Sequence, residues 1–342
     1  MNSQGPALPD RHSSSASRRR RNVRQWVLLA LVLACAVPTV WLTLRRRYRA
    51  KCEVLTAEAR RRVGITDIEP IGPAWLHNLI GSGYLQDVVG VSVPAKCDDE
   101  FLREYVEPIS TLRKVWVGGR QVTDAGVVHL AELGDLEELI LTGTSVTDEG
   151  VATLGGLTNL RRLHLDHTRV TDAGLESLAL LTRLETLSLA NTQLTGAGLE
   201  HLKGLPRLRS LSLANTRLAD GGLSHLSAIA SLEDLTLEGT AITDAGLATL
   251  QGLANLKTLK LGGTKITDQG LPRLKALGKL EVLDLRLTAI SDPGLAEIGG
   301  LPKLGYLWVE GTEVTEGAVE KLARTRPGLW IDRNRPRDAP ED

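Results

Sequence analysis

A leucine returns every 24 residues through more than half of this 342-residue chain, without a slip in the spacing. It stands at Leu112, Leu136, Leu160, Leu184, Leu208, Leu232, Leu256, Leu280 and Leu304. A fixed period of this length indicates a solenoid, in which each repeat buries its apolar face only against its neighbours. The length of the chain therefore reflects the number of stacked repeats, and we expect the functional site on a surface instead of in a pocket.

Each repeat contains a strand signal followed by a helix signal. The aligned repeats read LxxLxLxxTxVTDxGLxxLxxL, and residues 160–181 carry the pattern intact. The alternation in LxxLxL predicts a short strand, and the spacing of three in GLxxLxxL predicts a short helix. We predict an α/β solenoid with a curved parallel sheet on the concave side and short helices on the convex side.

Two polar columns follow the same period. The threonine column comprises Thr144, Thr168, Thr192, Thr216, Thr240, Thr264, Thr288 and Thr312. We predict that its hydroxyls satisfy backbone groups where each strand turns inward. The aspartate column comprises Asp124, Asp148, Asp172, Asp220, Asp244, Asp268 and Asp292, most of them preceded by threonine. A Thr-Asp pair is typical of a helix start, so we expect helix capping here and not a calcium site.

The charges are segregated along the chain. Residues 1–62 carry 14 Lys and Arg against 3 Asp and Glu, which leaves 27 against 38 for the remainder. An acidic array disfavours nucleic-acid binding, because phosphates require a basic face. The three cysteines, Cys35, Cys52 and Cys97, show no metal-ligand spacing.

The segment 26–44 has no charged residue and is flanked by arginines on both sides. Its 19 residues are long enough to span a bilayer, and Trp26 and Trp41 lie near its ends, as interfacial tryptophans do. We predict a single-pass transmembrane anchor. A cleaved signal peptide is the alternative, but it favours a shorter apolar run. The preceding tail carries six arginines and is costly to translocate, so we expect the array to be exported.

These signals divide the chain into six regions. We predict a disordered basic tail over 1–25, the transmembrane helix over 26–44, and a juxtamembrane helix with a linker over 45–70. An N-terminal cap with a degenerate first repeat follows over 71–111, with a covering helix near residues 73–80. The repeats and a C-terminal cap occupy 112–332, where Leu329 and Ile331 supply a final edge strand, and 333–342 is a solvated tail.

The repeat resembles the leucine-rich repeat, in the short form with TDxGL found in bacterial proteins and related to repeats of F-box substrate receptors. The resemblance covers Val88 to Ile331. The basic tail, single anchor, arginine-rich linker and segment GPAWLHNLIGSGYLQDVVGVSV are similar to planctomycete-type membrane-anchored leucine-rich-repeat proteins. No F-box is recognisable before the array.

The residues flanking the second apolar position of LxxLxL are predicted to face the concave side. Exposed tryptophans are typical binding anchors, and Trp308 has charged neighbours along the chain. The alternative is that Trp116 and Trp308 pack under the capping segments. His164, Asp166 and His167 lack a third ligand on one face, so we expect no metal. The candidate partner-binding residues are Trp116, Ile140, Arg162, His164, Asp166, Lys260, Asp284, Arg286, Tyr306, Trp308 and Glu310.

We find no nucleophile paired with a base and no phosphate-binding glycine loop in the sequence. The sequence therefore predicts a noncatalytic receptor, adhesion element or scaffold, with no cofactor and no small-molecule substrate. It would bind a protein on the concave face and be held at the membrane by residues 26–44. The alternatives are a structural spacer of the cell envelope and an F-box-like substrate adaptor.

Overall fold

A computed structural model describes residues 64–70 and 86–333 of the chain. Over these residues a sheet of twelve strands runs in sequence order, and every neighbouring pair from β2 to β12 is parallel. The strands are β1 Gly64–Pro70, β2 Gln86–Ser92, β3 Lys114–Trp116, β4 Glu138–Ile140, β5 Arg162–His164, β6 Thr186–Ser188, β7 Ser210–Ser212, β8 Asp234–Thr236, β9 Thr258–Lys260, β10 Val282–Asp284, β11 Tyr306–Trp308 and β12 Trp330–Asp332.

The sheet has one apolar face and one polar face, as the alternation in LxxLxL predicts. In β5, Leu163 is buried between Arg162 and His164, and it pairs in register with Leu187 of β6. We call the side that carries the flanking residues the outer face. A helix needs about 10 Å of lateral room and a strand about 4.8 Å. The stacked array is therefore shorter along its sheet, and the outer face corresponds to the predicted concave side.

Short helices cover the apolar face, as predicted, but many of them are 3₁₀ instead of α. The α-helices are α1 Asp99–Phe101, α2 Asp124–Ala131, α3 Asp148–Leu154, α4 Leu175–Leu178, α5 Asp220–Leu223, α6 Asp244–Leu247, α7 Asp292–Ile298 and α8 Glu316–Thr325. The 3₁₀ helices are Asp172–Gly174, Ala197–Gly204, Ser224–Ala228, Thr249–Gly252 and Leu271–Ala276, and Leu102–Val106 is a π-helical turn. Tighter winding suits segments of one or two turns, in which few i→i+4 bonds can form.

The helix starts confirm the capping prediction for threonine and give the aspartates a second role. Thr147 accepts a hydrogen bond from the backbone N–H of Glu149 at the start of α3. The next residue, Asp148, reaches into the following repeat and accepts bonds from the N–H and hydroxyl of Thr171, at 2.8 and 2.6 Å. Equivalent bonds join other successive repeats, and the carboxylates that accept them belong to Asp99, Asp124, Asp172, Asp220, Asp244, Asp268 and Asp292.

One junction lacks both partners of this bond. Gly196 stands where seven other repeats have aspartate, and Ala219 stands where the other repeats have threonine or, at Ser291, serine. The backbones of the two repeats instead lie close together at this junction. A Cβ built on Gly222 would lie only 2.8 Å from the Cα of Gly196. The threonine column is continuous, and its hydroxyls satisfy backbone groups as predicted: each donates to the carbonyl three residues earlier.

The first strand departs from the predicted boundaries. We expected a linker ending near Pro70, but Gly64–Pro70 forms β1 and pairs antiparallel with β2. The strand lies outside the 24-residue period, so the repeat pattern carried no signal for it. Among the described residues, no helix is long and apolar enough to cross a membrane. The predicted basic tail, transmembrane helix, juxtamembrane helix, covering helix and C-terminal tail lie outside the described residues, apart from Arg333. The final edge strand is confirmed as β12, which contains Ile331.

A column of alternating charge runs across the N-terminal ends of the strands, one residue before each of β3 to β10. Arg161 lies between Glu137 and Glu185, at 3.7 and 3.4 Å, and Glu233 lies between Arg209 and Lys257, at 3.3 and 2.6 Å. The whole column is Arg113, Glu137, Arg161, Glu185, Arg209, Glu233, Lys257 and Glu281. Exposed pairs of this kind each stabilise a protein by less than about 1 kcal/mol.

Candidate functional site

The predicted binding residues all lie on the outer face, in three columns that the parallel register produces. The first column contains Arg162 and Tyr306, at the first position of their strands. The second contains Trp116, Ile140, His164, Lys260, Asp284 and Trp308, at the third position. The third contains Asp166, Arg286 and Glu310, two residues further on. The structure does not bring all of them into one site but separates them into clusters.

At the N-terminal end, Glu138 joins two of the predicted residues. Its carboxylate accepts a hydrogen bond from Trp116 Nε1 at 2.8 Å and pairs with Arg162 at 2.5 Å. Burial alone would raise the pKa of Glu138. The hydrogen bonds from Arg162 and Trp116 lower the pKa by more than burial raises it, so the net pKa lies below its ordinary value. Lys114 beside it pairs with Asp67 of β1 at 2.6 Å. The charges at this end are therefore largely compensated within the chain.

The next cluster contains His164, Asp166 and Ser188. Asp166 Oδ2 lies 3.7 Å from His164 Nδ1, while Asp166 Oδ1 accepts bonds from the Ser188 hydroxyl and from the N–H of Ala190. The serine thus donates to the carboxylate and is not held by the imidazole, as a histidine-activated nucleophile would be. Burial raises the pKa of Asp166, and the bonds from His164, Ser188 and Ala190 lower it to below its ordinary value.

The middle of the outer face is formed by small side chains. Ser188, Ser212 and Thr236 follow one another in the second column, with Ala190 and Ala214 beside them in the third. These residues offer no aromatic ring and no charge. The aromatic rings of this face therefore lie towards its two ends.

Towards the C-terminal end, Asp284 organises a charged network. Its side chain is buried, with 1% of the residue exposed, and it binds the guanidinium of Arg286 through both carboxylate oxygens. Asp284 therefore positions Arg286 and offers no free surface. Arg286 Nη2 also lies 3.4 Å from Glu238, and burial together with the Asp284 carboxylate raises the pKa of Glu238. Lys260 and Arg286 oppose that rise.

The last two strands carry a cluster of three aromatic rings, which we call the aromatic cluster: Tyr306, Trp308 and Trp330. The Trp308 and Trp330 rings meet edge to face at 5.8 Å, and Tyr306 lies 6.2 Å from Trp330 and 6.5 Å from Trp308. Tyr306 is 53% exposed and Trp330 49% exposed. Trp308 thus packs against the terminal strand, yet the cluster as a whole remains open to solvent.

Our prediction omitted Trp330, Glu238 and Glu138. Trp330 follows Tyr306 by 24 residues and pairs with it in register, so the period itself was the signal. Glu138 likewise precedes Arg162 by one period. Glu238 is two periods before Arg286, and its contact with Arg286 depends on the length of the arginine side chain, which no spacing rule reveals.

Leu287, next to Arg286, adopts an unusual backbone conformation. Its φ is +55°, in the left-handed region, and the residue is 69% exposed. The same position is filled elsewhere by Asn191, Asn215 and Gly263, which tolerate positive φ. A leucine here exposes apolar surface and carries strain at the rim of the charged network.

Among residues 64–70 and 86–333, no three His, Cys, Asp or Glu side chains form a group that could hold a metal ion. His167, which follows the His164 and Asp166 pair, is exposed and lies outside the strand with φ +56°. The contacts of the outer face are hydrogen bonds, ion pairs and aromatic packing.

Solved structures that are similar to the chain include two internalins of Listeria monocytogenes and a plant ice-binding protein. Internalin InlF is 20% identical, with 72% of this chain and 85% of that chain covered and a TM-score of 0.40. Internalin C2 is 19% identical, with coverages of 72% and 81% and a TM-score of 0.46. The ice-binding protein is 17% identical, with coverages of 66% and 70% and a TM-score of 0.43.

No curated protein matches the chain significantly. The family model described as "Leucine-rich repeat region" matches residues 127–326. That match spans more than half of the sequence and covers most of the parallel array, with its stacked strands, threonine ladder and capped helices. The chain belongs to the leucine-rich repeat family.

Proposed function

We propose that this leucine-rich repeat chain is a noncatalytic interaction module that binds another protein through its outer face. The observation that carries the proposal is the aromatic cluster, two of whose three rings are about half exposed on the outer face. Tryptophan and tyrosine are the side chains most enriched at binding hot spots, and single modules seldom leave several together in solvent without a partner.

The predicted anchor gives the proposal its location. Residues 26–44 form the uncharged segment, and the basic residues before it support a tail that stays inside while the repeats are exported. Holding the repeats at a membrane raises their effective concentration towards partners on that surface. The layout is similar to planctomycete-type membrane-anchored proteins, and a receptor, adhesion element or scaffold fits it best.

Site-directed photocrosslinking in intact cells tests the binding face. A photoreactive amino acid at Val282 places the probe on β10, beside Tyr306 in register. A matched probe at Val128, which is 47% exposed on helix α2, reports on the opposite side of the array. We expect one discrete crosslinked protein from position 282 and none from position 128. Equal labelling from both positions, or none from either, would refute a dedicated outer-face site and favour the spacer function.

Protease treatment of intact cells tests the location separately. We expect the repeats to be digested from outside without lysis. Protection until lysis would place the array inside and would make a cytoplasmic scaffold or adaptor the better proposal. The crosslinking result does not depend on this outcome, because the probes act on either side of the membrane.

A further inference from the structure

The outer face is electrically uneven along its length. In the N-terminal half, Lys114, Arg162 and His164 each lie within 4 Å of a carboxylate, on Asp67, Glu138 and Asp166. The C-terminal half has more acids than bases. Its acids are Asp234, Glu238, Asp284, Glu310 and Asp332, and its bases are Lys260 and Arg286. The aromatic cluster therefore lies in the half of the outer face that has a net negative charge.

The arginine on the neighbouring strand is already engaged within the chain. Asp284 binds one edge of the Arg286 guanidinium, through Nε and Nη2, and Glu238 also approaches Nη2. Its positive charge is thereby compensated and held in a fixed place. Glu310 lies two residues beyond Trp308 and is half-buried. Its charge contributes to the raised pKa of Arg286, but among the described residues its carboxylate has no hydrogen bond and no ion pair within 4 Å. This end of the sheet thus combines open ring faces with a carboxylate that can still accept hydrogen bonds.

A guanidinium group satisfies both features at once. It stacks flat on an aromatic face, where the ring quadrupole attracts the cation, and it donates paired hydrogen bonds to a carboxylate. An ammonium group offers the charge but not the planar stacking surface, so lysine fits less well. An acidic segment would meet repulsion from the surrounding carboxylates.

We propose that the aromatic cluster, together with Glu310, is a docking site for an arginine-bearing basic segment of the partner protein. This inference rests on the proposed function and names the chemistry of the partner. The arginine stacks on the exposed faces of Tyr306 and Trp330, and Glu310 compensates its charge. The small residues of the central strands leave room for the rest of the segment to lie along the sheet.

Peptide binding tests this proposal with defined probes. The full-length chain, in a neutral detergent and about 0.15 M salt, is titrated with a fluorescent Gly-(Arg-Gly)4 peptide. Matched peptides carry lysine or the uncharged isostere citrulline in place of arginine. We expect the lysine peptide to bind about threefold more weakly and the citrulline peptide at least about tenfold more weakly.

Variants of the chain locate the peptide. We expect Trp330→Leu to weaken arginine-peptide binding about fivefold, and Glu310→Lys by about tenfold or more through charge reversal. Glu149→Lys is the matched control, because Glu149 is an exposed acid in helix α3, on the opposite side of the array, and we expect a change within about twofold. Glu310→Gln removes the charge of a side chain that has no hydrogen-bond partner among the described residues, and we expect weaker arginine-peptide binding even where the tryptophan variant folds poorly.

The outcomes separate the two proposals. The basic-segment assignment would be overturned if the arginine and citrulline peptides bound equally, or if Glu310→Lys and Trp330→Leu both left peptide binding unchanged. Crosslinking from position 282 could still support a protein partner in either case. Binding of a neutral oligosaccharide that requires Trp330 but not Glu310 would also overturn it, in favour of a glycan. Loss of the crosslink itself would refute the proposed function.

Discussion

Adding one methyl group at either of two adjacent glycines should change stability in opposite directions. Gly221 and Gly222 both lie in helix α5, at the junction that lacks the aspartate bond. A Cβ on Gly221 would meet nothing within 4 Å. A Cβ on Gly222 would lie 2.6 Å from Leu218 Cδ1, 2.8 Å from the Cα of Gly196 and 3.1 Å from the carbonyl oxygen of Thr195. Two of those three contacts are with backbone, which cannot move without separating the repeats.

The expected magnitudes follow from these contacts. Replacing glycine by alanine inside a helix stabilises it by about 1 kcal/mol, and this gain applies at both positions. Overpacking costs about 1–3 kcal/mol and applies at Gly222 alone. We therefore expect Gly221→Ala to stabilise the junction by about 1 kcal/mol and Gly222→Ala to destabilise it by up to about 2 kcal/mol. The difference between the variants isolates the steric term.

Hydrogen exchange is the suitable assay, because the stability of a solenoid varies along its length and is set by neighbouring interfaces. The amides to follow are those that cross the junction, such as Arg217 N–H, which donates to Leu194. We expect them to exchange several-fold faster in Gly222→Ala and several-fold slower in Gly221→Ala, since about 1.4 kcal/mol corresponds to tenfold. Equal protection in both variants, or greater protection in Gly222→Ala, would refute the close approach of the two backbones.

Three further perturbations test other parts of the array. Leu287→Asn should raise stability by about 0.5–1 kcal/mol, because asparagine tolerates the positive φ better than leucine does. The control Leu180→Asn, at another exposed leucine, should change stability by no more than about 0.5 kcal/mol. Thermal unfolding compares the two variants, and a Leu287→Asn variant less stable than the parent chain would contradict the strain. Asp148→Ala removes two bonds to Thr171 and should cost about 2–3 kcal/mol in urea unfolding, with a loss below about 0.5 refuting the inter-repeat role. Burial raises the pKa of Asp172, but its hydrogen bonds lower it to below the ordinary 3.8, so its stabilisation is present above pH 3.8 and disappears as the pH falls through the lowered value. Acid titration should show a shallower loss in Asp172→Asn, and an unchanged profile would count against this.

The repeat period predicted several features that depend on one repeat alone, although it did not predict that many of the helices are 3₁₀. Strand positions, the buried central leucine and the bonding of the threonine hydroxyls to the backbone all follow from alternation and short-range geometry. The period also predicted which residues share the outer face. The same period places Trp330 on the outer face, one repeat after Tyr306, although our prediction omitted it.

Features that depend on two different segments were not predictable in the same way. The sequence assigned the aspartate only to the helix start. Its bond to a threonine 23 residues later depends on how the repeats stack, which no single repeat reveals. The burial of Asp284 follows from the length and direction of the Arg286 side chain. Strand β1 has no repeat partner, and only its pairing with β2 defines it.

The alternating column of Arg161, Glu185, Arg209 and their equivalents has a period of two repeats, while the leucines have a period of one. Near-identical repeats can stack out of turn, for instance when one is looped out and its two neighbours meet. Hydrophobic packing hardly distinguishes that arrangement, because every repeat offers the same leucines. The charges do distinguish it, since skipping one repeat brings Arg161 opposite Arg209 and like charges repel. The alternating charges thus favour the correct order of the repeats over an order in which one repeat is skipped, although each ion pair adds little to stability.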